Sequence, residues 1–134
     1  MVVNELRLIL TVDNLDELIH FYRDNLGLKT SKEWHEPTGN GIILEAGRAS
    51  LELIDQAHAH RIDQLEVGHR VAGPVRLAFH VGAHIEAVST HLVASGASQL
   101  ADVRQAPWSR VIRLADPAGL QFTLFESSTL SANK

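Results

Sequence analysis

The chain opens with a two-residue alternation of apolar positions over 6–12, which is typical of a half-buried β-strand. Apolar residues then change to helical spacing over 15–26, and this predicts an α-helix. Asn14 followed three positions later by Glu17 is typical of a capping box, and Gly27 suits the left-handed position after a helix. Glycine-containing turns then separate three predicted strands, at 28–34, 41–46 and 50–54.

The same order of elements occurs twice, at an offset of 69 positions. Residues that keep this offset include Arg7, Val12 and Gly27, which recur as Arg76, Val81 and Gly96. The second copy predicts a strand at 75–81, a helix at 84–95 and strands at 100–105, 110–115 and 121–126. A repeat kept through strand, helix and later strand predicts an α+β fold of two βαβββ modules.

One domain over residues 1–134 is expected, because the length and the 45% hydrophobic content suffice for a single core. Module one covers 1–55 and module two covers 75–127, with a tail at 128–134. The intervening segment, 56–74, is rich in histidine and charge and is expected to be a connector.

Composition excludes several classes of function. The absence of cysteine excludes disulfides, thiolate metal sites and a cysteine nucleophile. The net charge of −4 and the lack of a Lys/Arg cluster argue against nucleic acid as a partner. No signal-peptide pattern and no apolar run near the roughly 20 residues of a membrane span occur, so no membrane association and a cytoplasmic location are expected.

Two motifs carry a resemblance to a known family. V-D-N-L-D-E-L-I-H-F-Y-R-D-N-L-G-L at 12–28 is similar to the first-helix signature of the vicinal oxygen chelate superfamily, which includes glyoxalase I, bleomycin resistance proteins and extradiol dioxygenases. W-S-R-V-I-R-L-A-D-P-A-G-L-Q-F-T-L-F-E at 108–126 is similar to its closing hairpin and last strand. The resemblance implies curved mixed sheets around a concave ligand groove, with helices on the outer face. It leaves activity open, because the superfamily holds metal-dependent enzymes and non-catalytic drug-binding proteins.

Strand parity separates a core face from a groove face. The core face is predicted to hold Leu6, Leu8, Leu10, Leu51, Leu53, Leu77, Phe79, Val81, Phe122 and Leu124. The groove face is predicted to hold Arg7, Ile9, Thr11, Ser50, Glu52, Ile54, Arg76, Ala78, His80, Gln121, Thr123 and Phe125. Ten of these, all except Ile54 and Ala78, are expected to bind the ligand together with Trp108, which makes eleven predicted ligand-binding residues.

The resemblance also implies where a metal would bind. Metal-dependent relatives use a histidine on the first strand and a glutamate on the last strand of each module. These positions fall on Arg7, Arg76, Glu52 and Thr123, although the strict offset pairs Thr123 with Ile54 instead. A guanidinium has no lone pair for a metal, so neither a metal site nor another cofactor is expected.

Two uses of the arginines stay open at this point. Arg7 or Arg76 can form an ion pair with Glu52 and fill the old ligand position. Alternatively, two guanidiniums against one carboxylate leave a positive charge that, with Ser50, Gln121 and Thr123, can bind a carboxylate, phosphate or sulfonate. The two uses are compatible.

Histidine and tryptophan positions add weaker signals. His80 is expected to be a hydrogen-bonding wall of the groove, with general base as the alternative. The connector histidines, His58, His60 and His69, are expected to be solvated. Trp108 is expected at the groove, whereas Trp34 is left without an assignment. Asp116, Pro117 and Gly119 are expected to form a tight turn without a catalytic role.

These observations favour a small-molecule-binding protein of the glyoxalase/bleomycin resistance type without the family's metal centre. One alternative is a metal-dependent lyase or dioxygenase with displaced ligands, drawn from Glu52, His80 and Glu126. Another is a metal-free enzyme that uses His80. A homodimer is expected, with or without exchange of modules across the connector.

Overall fold

Strand β1 (Glu5–Thr11) forms where the alternation predicts it. The structure is a computed structural model that describes residues 3–127. Helix α1 (Leu15–Ile19) continues as a π-helical segment (His20–Asn25), and Gly27 takes the predicted positive φ of 91°. The predicted capping box does not form, because the Asn14 amide donates to the Glu17 side chain at 2.9 Å instead of either side chain binding the backbone. The three following strands are β2 (Lys29–Glu36), β3 (Gly39–Ala46) and β4 (Ala49–Ile54).

The connector is largely helical, which the sequence analysis did not predict. Helix α2 (Gln56–Glu66) begins after Asp55, whose carboxylate accepts the His58 backbone N–H at 2.8 Å. The buried residues of α2 follow helical spacing and are His58, Ala59, Ile62, Asp63 and Glu66. Three of these, His58, Asp63 and Glu66, have ionisable side chains. Because ionisable residues occupy most of this buried face, the sequence shows no helical spacing of apolar residues here. The segment was therefore predicted to be a connector.

Module two repeats the order of module one. Its elements are β5 (Val75–His80), α3 (Ile85–Ala94), β6 (Ser98–Gln99), β7 (Arg104–Gln105), β8 (Arg110–Ala115) and β9 (Gln121–Phe125). The strand predicted at 100–105 is wrong in its bounds, because two short strands pair separately with opposite ends of β8. The Asp116 turn forms as predicted, with Gly119 at a φ of 90°.

The nine strands among residues 3–127 form one open mixed sheet in the order β2-β3-β4-β1-β5-β9-β8-β6, with β7 also on β8. Each module contributes one half, and antiparallel pairing of β1 with β5 joins the halves within the chain. The predicted α+β fold is therefore confirmed.

Hydrophobic clusters lie on both faces of the sheet. α1 packs on the outer face of module one and α3 on the outer face of module two. α2 packs on the opposite face, where Ala59 and Ile62 meet Ile9, Ile54 and Ala78. The outer face between α1 and α3 is left partly open, so two residues predicted for the core, Leu6 and Leu8, are 40% and 37% exposed.

Candidate functional site

A groove of about 760 Å³ lies on the face of the sheet that carries α2. Eight of the eleven residues predicted for ligand binding line it: Arg7, Ile9, Glu52, Arg76, His80, Trp108, Thr123 and Phe125. Three do not. Ser50 bonds to both Arg7 and Glu5, Gln121 accepts from Arg113 at 2.8 Å, and Thr11 is buried without a partner for its hydroxyl among residues 3–127.

Strand register relates the positions at which the resemblance implies metal ligands. Ile9 pairs with Glu52 across β1 and β4, and Ala78, its repeat equivalent, pairs with Thr123 across β5 and β9. Glu52 and Thr123 are therefore structural equivalents, whereas the strict sequence offset favoured Ile54. The four positions that the resemblance implies are therefore Arg7, Arg76, Glu52 and Thr123.

In module one, Arg7 is paired mainly with its strand neighbour. Its Nε donates to Glu5 Oε2 at 3.0 Å, and its Nη1 reaches Glu52 Oε1 at 3.5 Å. Glu52 is only 6% exposed, and burial raises its pKa even though the charge of Arg7 opposes the shift. The predicted pairing of an arginine with Glu52 is thus present, but it is long.

In module two, Arg76 is paired with a residue of the connector. Its Nη1 donates to Asp63 Oδ1 at 2.8 Å, and the Nη2 of Arg113 donates to the same oxygen at 2.9 Å. All three side chains are essentially buried. Burial alone would raise the pKa of Asp63, but the backbone N–H groups of Val71 and Ala72 and the two arginine charges lower it to about 2.

The fourth position is also engaged. Thr123 Oγ1 donates to Glu66 Oε1 at 2.6 Å, and Arg113 Nε donates to the same oxygen at 3.1 Å. Glu66 belongs to α2 and is 3% exposed. Helix α2 therefore places two carboxylates, Asp63 and Glu66, against Arg76 and Thr123 of module two.

These residues do not fit the divalent metal that the fold family implies. Two positions hold guanidiniums, which cannot coordinate a cation, and Thr123 is bonded to Glu66. No group of three His, Cys, Asp or Glu side chains suited to a metal occurs among residues 3–127. The alternative metal site built from Glu52, His80 and Glu126 gains no support from the structure. Glu126 accepts hydrogen bonds from Arg110 and from the Ile85 backbone N–H, and His80 Nε2 lies 3.1 Å from Ser127 Oγ.

Aromatic side chains form one wall of the groove. The His58 ring lies between Trp34 and Trp108, with ring centroids 5.1 Å and 6.0 Å away. The expectation that His58 is a solvated loop histidine is wrong: it is 7% exposed, and burial, with the charge of Arg61, lowers its pKa to about 4. His60 and His69 are exposed, as expected. At the other end, His80 stacks on Phe125 at 5.1 Å.

Three residues that organise the site, Asp63, Glu66 and Arg113, were not predicted from the sequence. Strand parity does indicate Arg113, because position 113 lies between Ile112 and Leu114 and therefore faces the groove. Asp63 and Glu66 gave no such signal, since their burial depends on a helix that the hydrophobic pattern does not predict.

Comparisons with known proteins agree with this architecture. A family model described as a glyoxalase-like domain matches residues 7–125. None of the curated protein sequences compared with the chain matches it.

Solved structures with this fold include three that cover most of the chain. A glyoxalase/bleomycin resistance protein/dioxygenase superfamily member from Vibrio splendidus 12B01 has 12% identity and a TM-score of 0.64, covering 94% of this chain and 100% of its own. Methylmalonyl-CoA epimerase from Mycobacterium tuberculosis has 18% identity and a TM-score of 0.62, with 98% and 91% covered. A hypothetical protein from Bacillus halodurans C-125 has 16% identity and a TM-score of 0.64, with 95% and 94% covered.

At these identities the solved structures show a shared fold, and the family model covers most of the chain. The chain therefore belongs to the glyoxalase-like domain family, within the vicinal oxygen chelate superfamily.

Proposed function

We propose that this protein binds a small organic molecule in the groove without a divalent metal. The observation that carries the proposal is the engagement of the family's ligand positions by other partners: Arg76 with Asp63, Thr123 with Glu66, and Arg7 with Glu5. A metal would have to compete with buried guanidiniums, which repel cations.

The groove itself supports the binding of a ligand. Its volume of about 760 Å³ lies within the range of roughly 300–1,000 Å³ that is typical of small-molecule sites. Trp34, Trp108 and Phe125 line the groove and contribute apolar ring surface that a planar molecule can contact. A drug-sequestering protein of the bleomycin resistance type is one form of this function, and it needs burial and a few polar contacts but no ion.

A thermal-shift screen tests the proposal, because a ligand that binds only the folded state raises the melting temperature by mass action. The protein is screened after chelator treatment against carboxylates, phosphates and planar antibiotics, and in parallel against divalent metals. We expect organic ligands to raise the melting temperature and metals to leave it unchanged. Stabilisation by metals alone would favour the metal-dependent lyase or dioxygenase.

We further propose a cytoplasmic homodimer. No helix among residues 3–127 is long and apolar enough to cross a membrane. The partly open outer face of β1 and β5 carries Leu6, Leu8 and Val75, the last 43% exposed, and a second copy could cover it. Light scattering at micromolar concentration should give twice the mass of the chain, and Leu8→Glu should give the single-chain mass. A single-chain mass for the unmodified protein would contradict the dimer.

A further inference from the structure

Arg76 uses only part of its hydrogen-bonding capacity. Its Nη1 donates to Asp63, but no atom of residues 3–127 accepts from its Nε or Nη2. The side chain is 2% exposed and lines the groove. Buried N–H groups almost always have an acceptor, so two on one side chain indicate a binding function rather than a packing role.

The two unpaired nitrogens lie together on one edge of the guanidinium. Nε–H and Nη2–H point in parallel along this edge, which is the geometry that receives both oxygens of a carboxylate. Asp63 cannot turn to serve it, since one oxygen already binds Arg76 and Arg113 and the other binds Val71, Ala72 and Arg70. Glu66 is held by Arg113 and Thr123.

The ion pairs beside Arg76 contain one more positive group than negative groups. Three guanidiniums, those of Arg70, Arg76 and Arg113, are paired there with two carboxylates, those of Asp63 and Glu66. Burial raises the pKa of Glu52, which favours its neutral form. Glu52 bonds to Arg7 and not to Arg76, so an anionic ligand at Arg76 would supply the acceptors that this side chain lacks.

The walls of the same groove indicate the rest of the ligand. Trp34 and Trp108 flank His58 at one end, and Phe125 lines the other. The buried Trp34 Nε1 and His58 Nδ1 also have no partner among the described residues. Flat apolar walls with a few polar atoms suit an aromatic ring better than a flexible polar chain.

We propose that the ligand is an aromatic carboxylate whose two oxygens bind the Nε and Nη2 of Arg76. This inference rests on the proposed function, because it names the class of molecule that the metal-free groove accepts. The carboxylate sits away from bulk water, where its attraction to the guanidinium is stronger than at the surface.

Benzoate and benzamide test this inference on the chelator-treated wild-type protein. The two molecules share the ring and nearly share the shape, but only benzoate is an anion with two equivalent acceptors. Binding is followed by calorimetry and by the fluorescence of Trp34 and Trp108, which line the groove. We expect benzoate to bind at least tenfold more tightly than benzamide, which corresponds to about 1.4 kcal/mol.

Matched lysine variants locate the site. Arg76→Lys keeps the charge beside Asp63 but removes the paired edge, so benzoate affinity should fall at least tenfold. Arg48→Lys, in the exposed turn between β3 and β4, should leave it unchanged. Loss of benzoate binding in Arg7→Lys but not in Arg76→Lys would overturn the assignment to Arg76. The wild-type comparison of the two probes decides the ligand class even if Arg76→Lys does not fold.

The outcomes separate this inference from the proposed function. Equal binding of benzoate and benzamide would mean that Arg76 does not select an anion, while metal-free binding in the groove would stand. No binding of benzoate at millimolar concentration would overturn the inference, and the metal-against-ligand screen would still decide the proposed function. Stabilisation by divalent metals alone in that screen would overturn both.

Discussion

Asp63 contacts three arginine side chains, those of Arg70, Arg76 and Arg113, from a position with no solvent exposure. A buried charge is tolerated only when its hydrogen-bonding sites are filled, and here backbone N–H groups of Val71 and Ala72 complete the shell. The Arg76 guanidinium is therefore held by an anion from within the same chain.

Asp63→Asn should be strongly destabilising, because it leaves Arg76 buried without a counter-charge and Arg113 paired with Glu66 alone. We expect a loss of about 3–5 kcal/mol in the free energy of unfolding, measured by urea denaturation. Asp102→Asn, on an exposed residue, is the matched control and should change it by less than about 0.5 kcal/mol. A loss for Asp63→Asn no larger than that of the control would show that the network contributes little.

Gly41 packs closely against the ring of Trp34, which forms part of the aromatic wall of the groove. It pairs with Trp34 across β2 and β3, and a Cβ at this position would overlap the Trp34 ring and lie 2.9 Å from the Leu53 carbonyl oxygen. Gly41→Ala should therefore displace Trp34, shift its fluorescence and cost about 1–3 kcal/mol of stability. Gly73→Ala has open space around it and should leave the fluorescence unchanged. An unshifted spectrum for Gly41→Ala would contradict this packing.

At the scale of elements, α2 distinguishes this groove most. It places Asp63 and Glu66 over the arginines and His58 between the two tryptophans. Because the pKa values of His58 and Asp63 on its buried face are lowered, the stability of this helix should depend on pH.

His58 makes a specific prediction about that dependence. Its pKa is about 4 in the folded protein, against roughly 6.5 in an unfolded chain. As pH falls from about 6.5 to 4, the unfolded state therefore binds the proton first, and stability decreases by at most about 3 kcal/mol. His58→Gln should flatten the stability profile over this window, whereas His60→Gln, on the exposed side of the same helix, should not. Parallel profiles for both variants would refute the burial of His58.

The elements that the sequence predicted are those with strong local periodicity. β1, β4, β5 and β9 largely alternate apolar and polar positions, β3 and β8 contain short apolar runs, and α1 and α3 carry apolar stripes. Helix α2 was not predicted because its buried face is stabilised by ion pairs with residues far along the chain, and these leave no apolar pattern in the sequence. Parity correctly brought Arg7, Glu52, Arg76 and Thr123 to one groove, but it could not show that α2 covers half of it.

At the scale of the whole molecule, the two modules share a topology but differ in their halves of the groove. Module one has Glu52 at the position where the resemblance implies a metal ligand, and its contact with Arg7 is long, at 3.5 Å. Module two replaces the carboxylate with Thr123 and binds it to Glu66 of α2. The symmetric pair of ligands that a shared metal requires is therefore absent from the described part of the chain.

Metal content tests the central proposal most directly. The protein is purified without chelator, incubated with manganese, iron, nickel or zinc, desalted, and analysed by mass spectrometry of the elements. We expect far less than one divalent ion per chain under every condition, because the guanidiniums of Arg7 and Arg76 occupy two of the implied metal positions and cannot coordinate a cation. Retention of one ion per chain, together with a higher melting temperature, would contradict the metal-free groove.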